Sequence, residues 1–114
     1  MLVDVEDREG KTVLMRVLEA YNFDLATKLI RRGADVNSVN REGKTALSIF
    51  LLQHRAPIVE FLLKNQADPH IEDFNGRDSC NYAELNNIYM FPELLRCEPK
   101  LRKMATLDER QTLD

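Results

Sequence analysis

Gly10-Lys11-Thr12 and Gly43-Lys44-Thr45 are the residues of this 114-residue sequence that come nearest to chemical machinery. A glycine, a lysine and a hydroxyl in that order end the loop that cradles nucleotide phosphates, but that loop needs another glycine five residues upstream. Val5 and Ser38 stand there instead. The two histidines, His54 and His70, have no metal-ligand spacing, and a structural or solvated role is expected for both. Cys80 and Cys97 lack any Cys-x-x-Cys partner and read as small buried hydrophobes. No set of nucleophile, base and metal ligand converges, so the sequence predicts a chain with no catalytic residues, no cofactor and no metal, and therefore not an enzyme.

The explanation for the paired Gly-Lys-Thr lies in the spacing. At an offset of 33, Arg8-Glu9-Gly10-Lys11-Thr12 falls on Arg41-Glu42-Gly43-Lys44-Thr45, and Leu14, Leu18, Leu29, Ala34 and Asp35 fall on Leu47, Leu51, Leu62, Ala67 and Asp68, ten identities in one period. Gly76 continues the series of Gly10 and Gly43 inside Asp73-Phe74-Asn75-Gly76-Arg77. Thr12 and Thr45 suit helix N-caps, each before apolar residues at helical spacing: Leu14, Val17, Leu18, then Leu47, Phe50, Leu51. A second pattern runs through Leu25, Leu29, Ile30 and through Ile58, Leu62, Leu63, with Pro57 where a first helical turn tolerates proline. Helices are thus predicted near 13–21, 24–32, 46–54 and 57–65. Gly33, after Arg31 and Arg32, suits a left-handed helix end, whereas Gln66 at the matching place predicts a distorted junction.

A 33-residue unit of turn, helix and helix, closed by Gly33-Ala34-Asp35-Val36-Asn37, resembles the ankyrin repeat. The resemblance covers roughly residues 1–98. It implies an all-α solenoid of stacked helix-turn-helix units with short β-hairpin-like fingers. Repeats are expected at about 7–39, 40–72 and 73–98, with 1–6 as the closing finger of a preceding repeat. The family's usual proline and histidine in Gly-x-Thr-Pro-Leu-His are absent, with Met15 and Ser48 in the histidine's place, which predicts a looser turn. Larger side chains than the family's small alanines at Val17-Leu18 and Phe50-Leu51 predict altered stack spacing. The third copy decays: Asp78-Ser79-Cys80-Asn81 replaces the Thr-x-Leu pattern and Pro92 delays its second helix. A C-terminal capping helix carrying Leu101, Met104, Ala105 and Leu107, then a disordered tail, is expected over 99–114. The opening on a closing finger suggests a fragment of a longer array.

Function follows by class. The composition, 44% hydrophobic and 31% charged, suits a folded domain. A net charge of −3, from 16 basic and 19 acidic residues, argues against nucleic acid as partner. No apolar run exceeds four residues, as at Ile49 to Leu52, so membrane insertion is not expected. Two cysteines and no signal-like N-terminus point to an intracellular, cytoplasmic setting. The resemblance implies a protein–protein interaction module that grips a protein or peptide on its concave finger and inner-helix surface. The alternative is an internal structural or regulatory segment of a scaffold, channel or signalling protein, packed against neighbouring repeats. Carried over by position, the partner-binding candidates are Arg8, Glu9, Lys11, Arg41, Glu42, Lys44, Leu52, Gln53, Phe74, Asn75 and Arg77, with Glu19, Ala20, Val39 and Glu72 beside them. Arg8, Arg41 and Phe74 share one finger position and Lys11, Lys44 and Arg77 another, so two rows suited to an acidic or phosphorylated peptide are expected, with neither Arg41 nor Lys44 in the core. Leu29 to Asn37 also resembles the site of the family's asparagine hydroxylase, which makes Asn37 a candidate for hydroxylation.

Overall fold

A computed structural model describes residues 6–97. Among the described residues six helices follow in order: α1 (Val13–Glu19), α2 (Phe23–Arg31), α3 (Ala46–Leu52), α4 (Ala56–Lys64), α5 (Ser79–Leu85) and α6 (Pro92–Leu95). Among the described residues there is no sheet; the fingers are tight turns, two of them closed by single bridges, Glu6 with Thr12 and Val39 with Thr45. The starts of α1, α3 and α5 are each 33 residues apart, as are those of α2 and α4. Residues 1–5 of the expected closing finger and the capping helix and tail expected over 99–114 lie outside the described residues.

The starts of the inner helices α1, α3 and α5 are fixed by side-chain caps. Thr12 Oγ1 accepts from the Met15 amide and Thr45 Oγ1 from the Ser48 amide, both at 3.2 Å, which satisfies amides that the helix itself leaves unpaired. Asp78 takes the same role in the third unit and forms a full capping box with Asn81. The first turn is therefore not loose; in the histidine's place, Ser48 Oγ meets Ser79 Oγ of the next unit at 2.7 Å, and both are buried. The inner helices end two residues earlier than predicted because Tyr21 and His54 adopt left-handed backbone, with Asn87 at the matching third position.

Burial runs along one continuous core. Leu14, Leu18, Leu29, Leu47, Phe50, Leu51, Ile58 and Leu62 are all buried, so the bulky residues in place of the family's small ones are taken into the packing. The expected distortion at Gln66 is absent. Its amide donates to Leu63 O and the Ala67 amide to Leu62 O, the same pair of bonds that Gly33 and Ala34 make to Ile30 O and Leu29 O. The strain is confined to Gln66 itself, which is held at φ +70°.

In the third unit the core positions survive with different chemistry. Cys80 is 33 residues beyond Leu47 and Leu95 is 33 beyond Leu62, and both are buried. The outer helix α6 has only four residues, flanked by Phe91 and Arg96 in left-handed backbone, each a cost of about 1–2 kcal/mol for a non-glycine residue. Burying Leu95 returns about 1.5–3 kcal/mol, so packing alone leaves this segment near balance. The two cysteines read as separate hydrophobes are in fact joined: Cys80 and Cys97 form a disulfide with Cα atoms 5.5 Å apart, spanning 17 residues. A loop of that length constrains the unfolded chain by about 3 kcal/mol, which holds α6 on the stack.

Two outcomes follow from this packing. Leu62→Ala should lower stability by about 2–5 kcal/mol, read as a shifted urea midpoint. Gln66→Gly should raise it by about 1 kcal/mol by relieving the left-handed cost while keeping both junction hydrogen bonds.

Candidate protein-binding surface

Each finger tip is folded by one short side chain. Asp7 Oδ1 accepts from the amides of Glu9 and Lys11, Asn40 Oδ1 from Glu42 and Lys44, and Asp73 Oδ1 from Asn75 and Arg77, each pair at 2.9 and 3.0 Å. Sequence reasoning missed these three residues, although their spacing of 33 was available. The tip then turns through a glycine with φ near +80°, and the next unit lies against it: a Cβ on Gly10 would stand 2.8 Å from the Arg41 backbone nitrogen, and one on Gly43 2.7 Å from the Phe74 ring. The Phe74 amide also donates to Glu42 O at 3.1 Å, which carries backbone pairing from one finger to the next.

This ladder sets the surface. Arg8, Glu9, Arg41, Glu42, Phe74, Asn75 and Arg77 are exposed at the tips, and Gln53 is exposed with Leu52 half-buried at the end of α3. Phe74 keeps 77% of its surface open even though one edge rests on Gly43. Of the neighbouring candidates, Ala20 and Glu72 are exposed and Glu19 and Val39 half-buried. Leu85, exposed at the end of α5, is a further apolar residue on the inner helices; its register with Leu52, one period back, was the signal for it.

The two lysines of the basic rows do not stand free. Lys11 Nζ bonds Glu19 at 2.8 Å, and that carboxylate raises the lysine above its ordinary value. Lys44 Nζ sits 3.6 Å from Asp73 and 3.6 Å from Glu42, and 5.7 Å from the centre of the Tyr82 ring. The Lys44 side chain is only 15% exposed and that of Asp73 1%. Tyr82 donates a hydrogen bond to Asp73. Burial by itself pushes the Asp73 carboxyl up, but the Tyr82 hydroxyl, the Arg77 and Asn75 amides and the Lys44 ammonium outweigh it and hold the group below the usual carboxylate range. Lys44 thus belongs to a buried network between the second and third units, which corrects the expectation that it stands outside the core. Arg16 of α1 is likewise bonded to Asp7.

The remaining candidates are placed as follows. Asn37 is half-buried, with its Oδ1 accepting from the Asp68 amide at 2.7 Å, so it ties the end of the first unit to that of the second. His54 is exposed at the turn between α3 and α4, and His70 Nδ1 lies 3.9 Å from Asp78. Among the described residues no group of three potential ligands is arranged to hold a metal ion, and no helix is long and apolar enough to cross a membrane.

A model of three ankyrin repeats matches residues 2–73, more than half of the chain. The chain belongs to the ankyrin-repeat family. Similar proteins include human Rabankyrin-5, 29% identical over 109 residues that make up 84% of this chain and 9% of that protein. The ankyrin repeat and KH domain-containing protein mask-1 of Caenorhabditis elegans is 31% identical over 61% of this chain and 3% of its own length. Mouse Inversin is 36% identical over 59% of this chain and 6% of its own length. The chain therefore spans less than a tenth of each of these relatives. Residues beyond 73 lie outside the family match, yet α5 keeps the ankyrin period and its N-cap.

Substituting Asp73 by Asn separates turn from charge, because Asn40 folds the same turn one unit earlier. Asp73→Asn should keep the finger yet cost about 1–3 kcal/mol by leaving Lys44 without its buried partner. With the folded-state value depressed, the wild-type contribution is complete above the unfolded value of about 4 and is lost as pH falls through the lower folded value. Denaturant melts from pH 6 down to 2 should show a shallower acid loss in Asp73→Asn than in the wild type.

Proposed function

We propose that this chain is a protein-binding ankyrin module, without catalytic chemistry of its own, that takes an extended segment of a partner protein on its finger tips and inner helices. The observation that carries the reading is Phe74. A large aromatic side chain with most of its surface in water, yet seated on Gly43 and anchored by its own backbone bond, is the kind of rigid residue that dominates protein interfaces. Arg8 and Arg41, at the same finger position two units and one unit earlier, supply exposed guanidinium groups suited to carboxylates or phosphates on the partner. Glu9, Glu42, Lys11, Lys44, Asn75 and Arg77 surround them, with the two lysines serving the scaffold more than the partner. The contact surface is thus centred on Arg41 and Phe74 and continues to Leu52, Gln53 and Leu85. The reading keeps the intracellular, cytoplasmic setting expected from the sequence and extends to hydroxylation at Asn37, which the family implies; oxygen added at Asn37 would be read by mass spectrometry.

A second reading is supported by a different observation. Val13 and Leu25 are exposed, whereas Ala46 and Ile58, their counterparts one unit later, are fully buried under the first repeat. These apolar residues suit contact with a preceding repeat, in which case the chain is an internal segment of a longer array.

Arg41→Glu combined with Phe74→Ala should reduce affinity for the partner protein at least tenfold while moving stability by about 0.5 kcal/mol or less. Quantitative affinity capture, followed by titration of the captured protein against wild type and variant, reads both effects alongside a thermal melt. An unchanged affinity would place the interface elsewhere, with the flank at Val13 and Leu25 the next surface to substitute.

A further inference from the structure

The disulfide stands where the repeat pattern would put ordinary core and surface residues. Cys80 occupies the position that Leu14 and Leu47 fill in the earlier units, and it is buried as they are. Cys97 is in register with Arg31 and Lys64, the charged ends of α2 and α4, yet it is half-buried against the core. The difference arises at Arg96, whose left-handed backbone ends α6 directly after Leu95, with Cys97 then joined to Cys80. Two cysteines at unrelated repeat positions thus meet only because the outer helix of the third unit is cut to four residues. The helix they fasten is far too short to persist alone, is flanked by two non-glycine residues in left-handed backbone, and buries one leucine.

We infer that the Cys80–Cys97 disulfide is a redox latch: oxidised, it clamps α6 against α4 and α5, and reduced, it releases residues 88–97 while the first two repeats stay folded. The two sulfurs differ in access, and this sets the order of steps. A thiolate from a small-molecule thiol such as glutathione attacks Sγ of Cys97, the less buried sulfur; the Cys80–Cys97 bond breaks, and Cys80 leaves as a thiolate that takes up a proton. A second thiolate attacks the external sulfur of the mixed disulfide, freeing Cys97 and completing a two-electron reduction that yields one oxidised glutathione. The reverse exchange, with oxidised glutathione as the two-electron acceptor, closes the latch. Release exposes Leu95 and Ile88 and uncovers the wall around Cys80, which enlarges the apolar surface already open at Leu85, Tyr89 and Leu94. Such a bond, made and broken by ambient thiols, is the form a disulfide takes in a reducing compartment.

The test uses the full chain equilibrated in buffers of defined ratio of reduced to oxidised glutathione, with free thiols counted by alkylation and intact mass, and amide exchange followed by peptide. The expected result is one interconversion between zero and two alkylated thiols within the glutathione range. On reduction, exchange in residues 88–97 should accelerate about a hundredfold, with α1–α4 unchanged. Cys97→Ser, which alters the less buried partner, should show the fast exchange under oxidising conditions as well. The inference is overturned if both thiols remain alkylatable in oxidised glutathione, if the bond resists a large excess of reduced glutathione, or if exchange in residues 88–97 is the same in both states. A Cys97→Ser chain as protected as the oxidised wild type would equally overturn it.

Discussion

The interaction on which this structure depends is the pair of hydrogen bonds that each finger's first side chain, Asp7, Asn40 or Asp73, accepts from two backbone amides of its own loop. Those bonds close the tip around a glycine with positive φ, and the closed tip delivers Thr12, Thr45 or Asp78 as the N-cap of the inner helix. A side chain at Gly10 or Gly43 would collide with the following unit, so there one backbone requirement serves both the turn and the contact between repeats. Helix placement, the run of the core and the spacing of exposed residues along the fingers all descend from that local geometry. The first two tips carry the same residues, Arg-Glu-Gly-Lys, and the third carries Phe74-Asn75-Gly76-Arg77, but the backbone bonds are the same in each unit.

Charge is distributed by the same ladder. A lysine follows the glycine in the first two fingers, and its fate depends on what the next unit offers. Beyond Lys11 stands the uncharged Asn40, and the lysine pairs within its own unit with Glu19. Beyond Lys44 stands Asp73, and the lysine becomes part of a buried contact with Tyr82. Asp73 and Tyr82, standing where the unit before has Asn40 and Ile49, thus turn the second lysine from a cation paired within its own unit into an inter-repeat bond. The exposed positions that remain, the arginines, Glu9, Glu42, Asn75 and Phe74, give the fingers a mixed charged and aromatic character instead of two uniform basic rows.

The third unit keeps part of a repeat among the described residues. Its inner helix keeps the period, the cap and the core position, whereas its outer helix is reduced to one turn around Leu95. Packing of four residues cannot offset two strained ends by a wide margin, so the covalent link from Cys97 to Cys80 carries the balance. The weakest part of the fold is therefore also the part whose strength responds to chemistry outside it.

The period of 33, the helix pairs, the threonine caps and the family were determined by the sequence itself, because identical residues at fixed spacing impose the same local backbone wherever they recur. Pro92 already implied a late outer helix, and the three glycines already set the register of the fingers. What Gln66 does was decided by tertiary structure: packing of Leu62, Leu63 and Ala67 holds the junction in the geometry that glycine adopts at Gly33, and the side chain accepts the strain. The role of Lys44 was decided in the same way, since its partners Asp73 and Tyr82 come from the next repeat and local spacing says nothing of their approach. The Cys80–Cys97 bond belongs to the same class. Seventeen residues separate the two sulfurs, and they meet only after α5 is capped, Leu95 is buried and the chain turns at Arg96, so the bond is a product of the fold that no spacing rule contains.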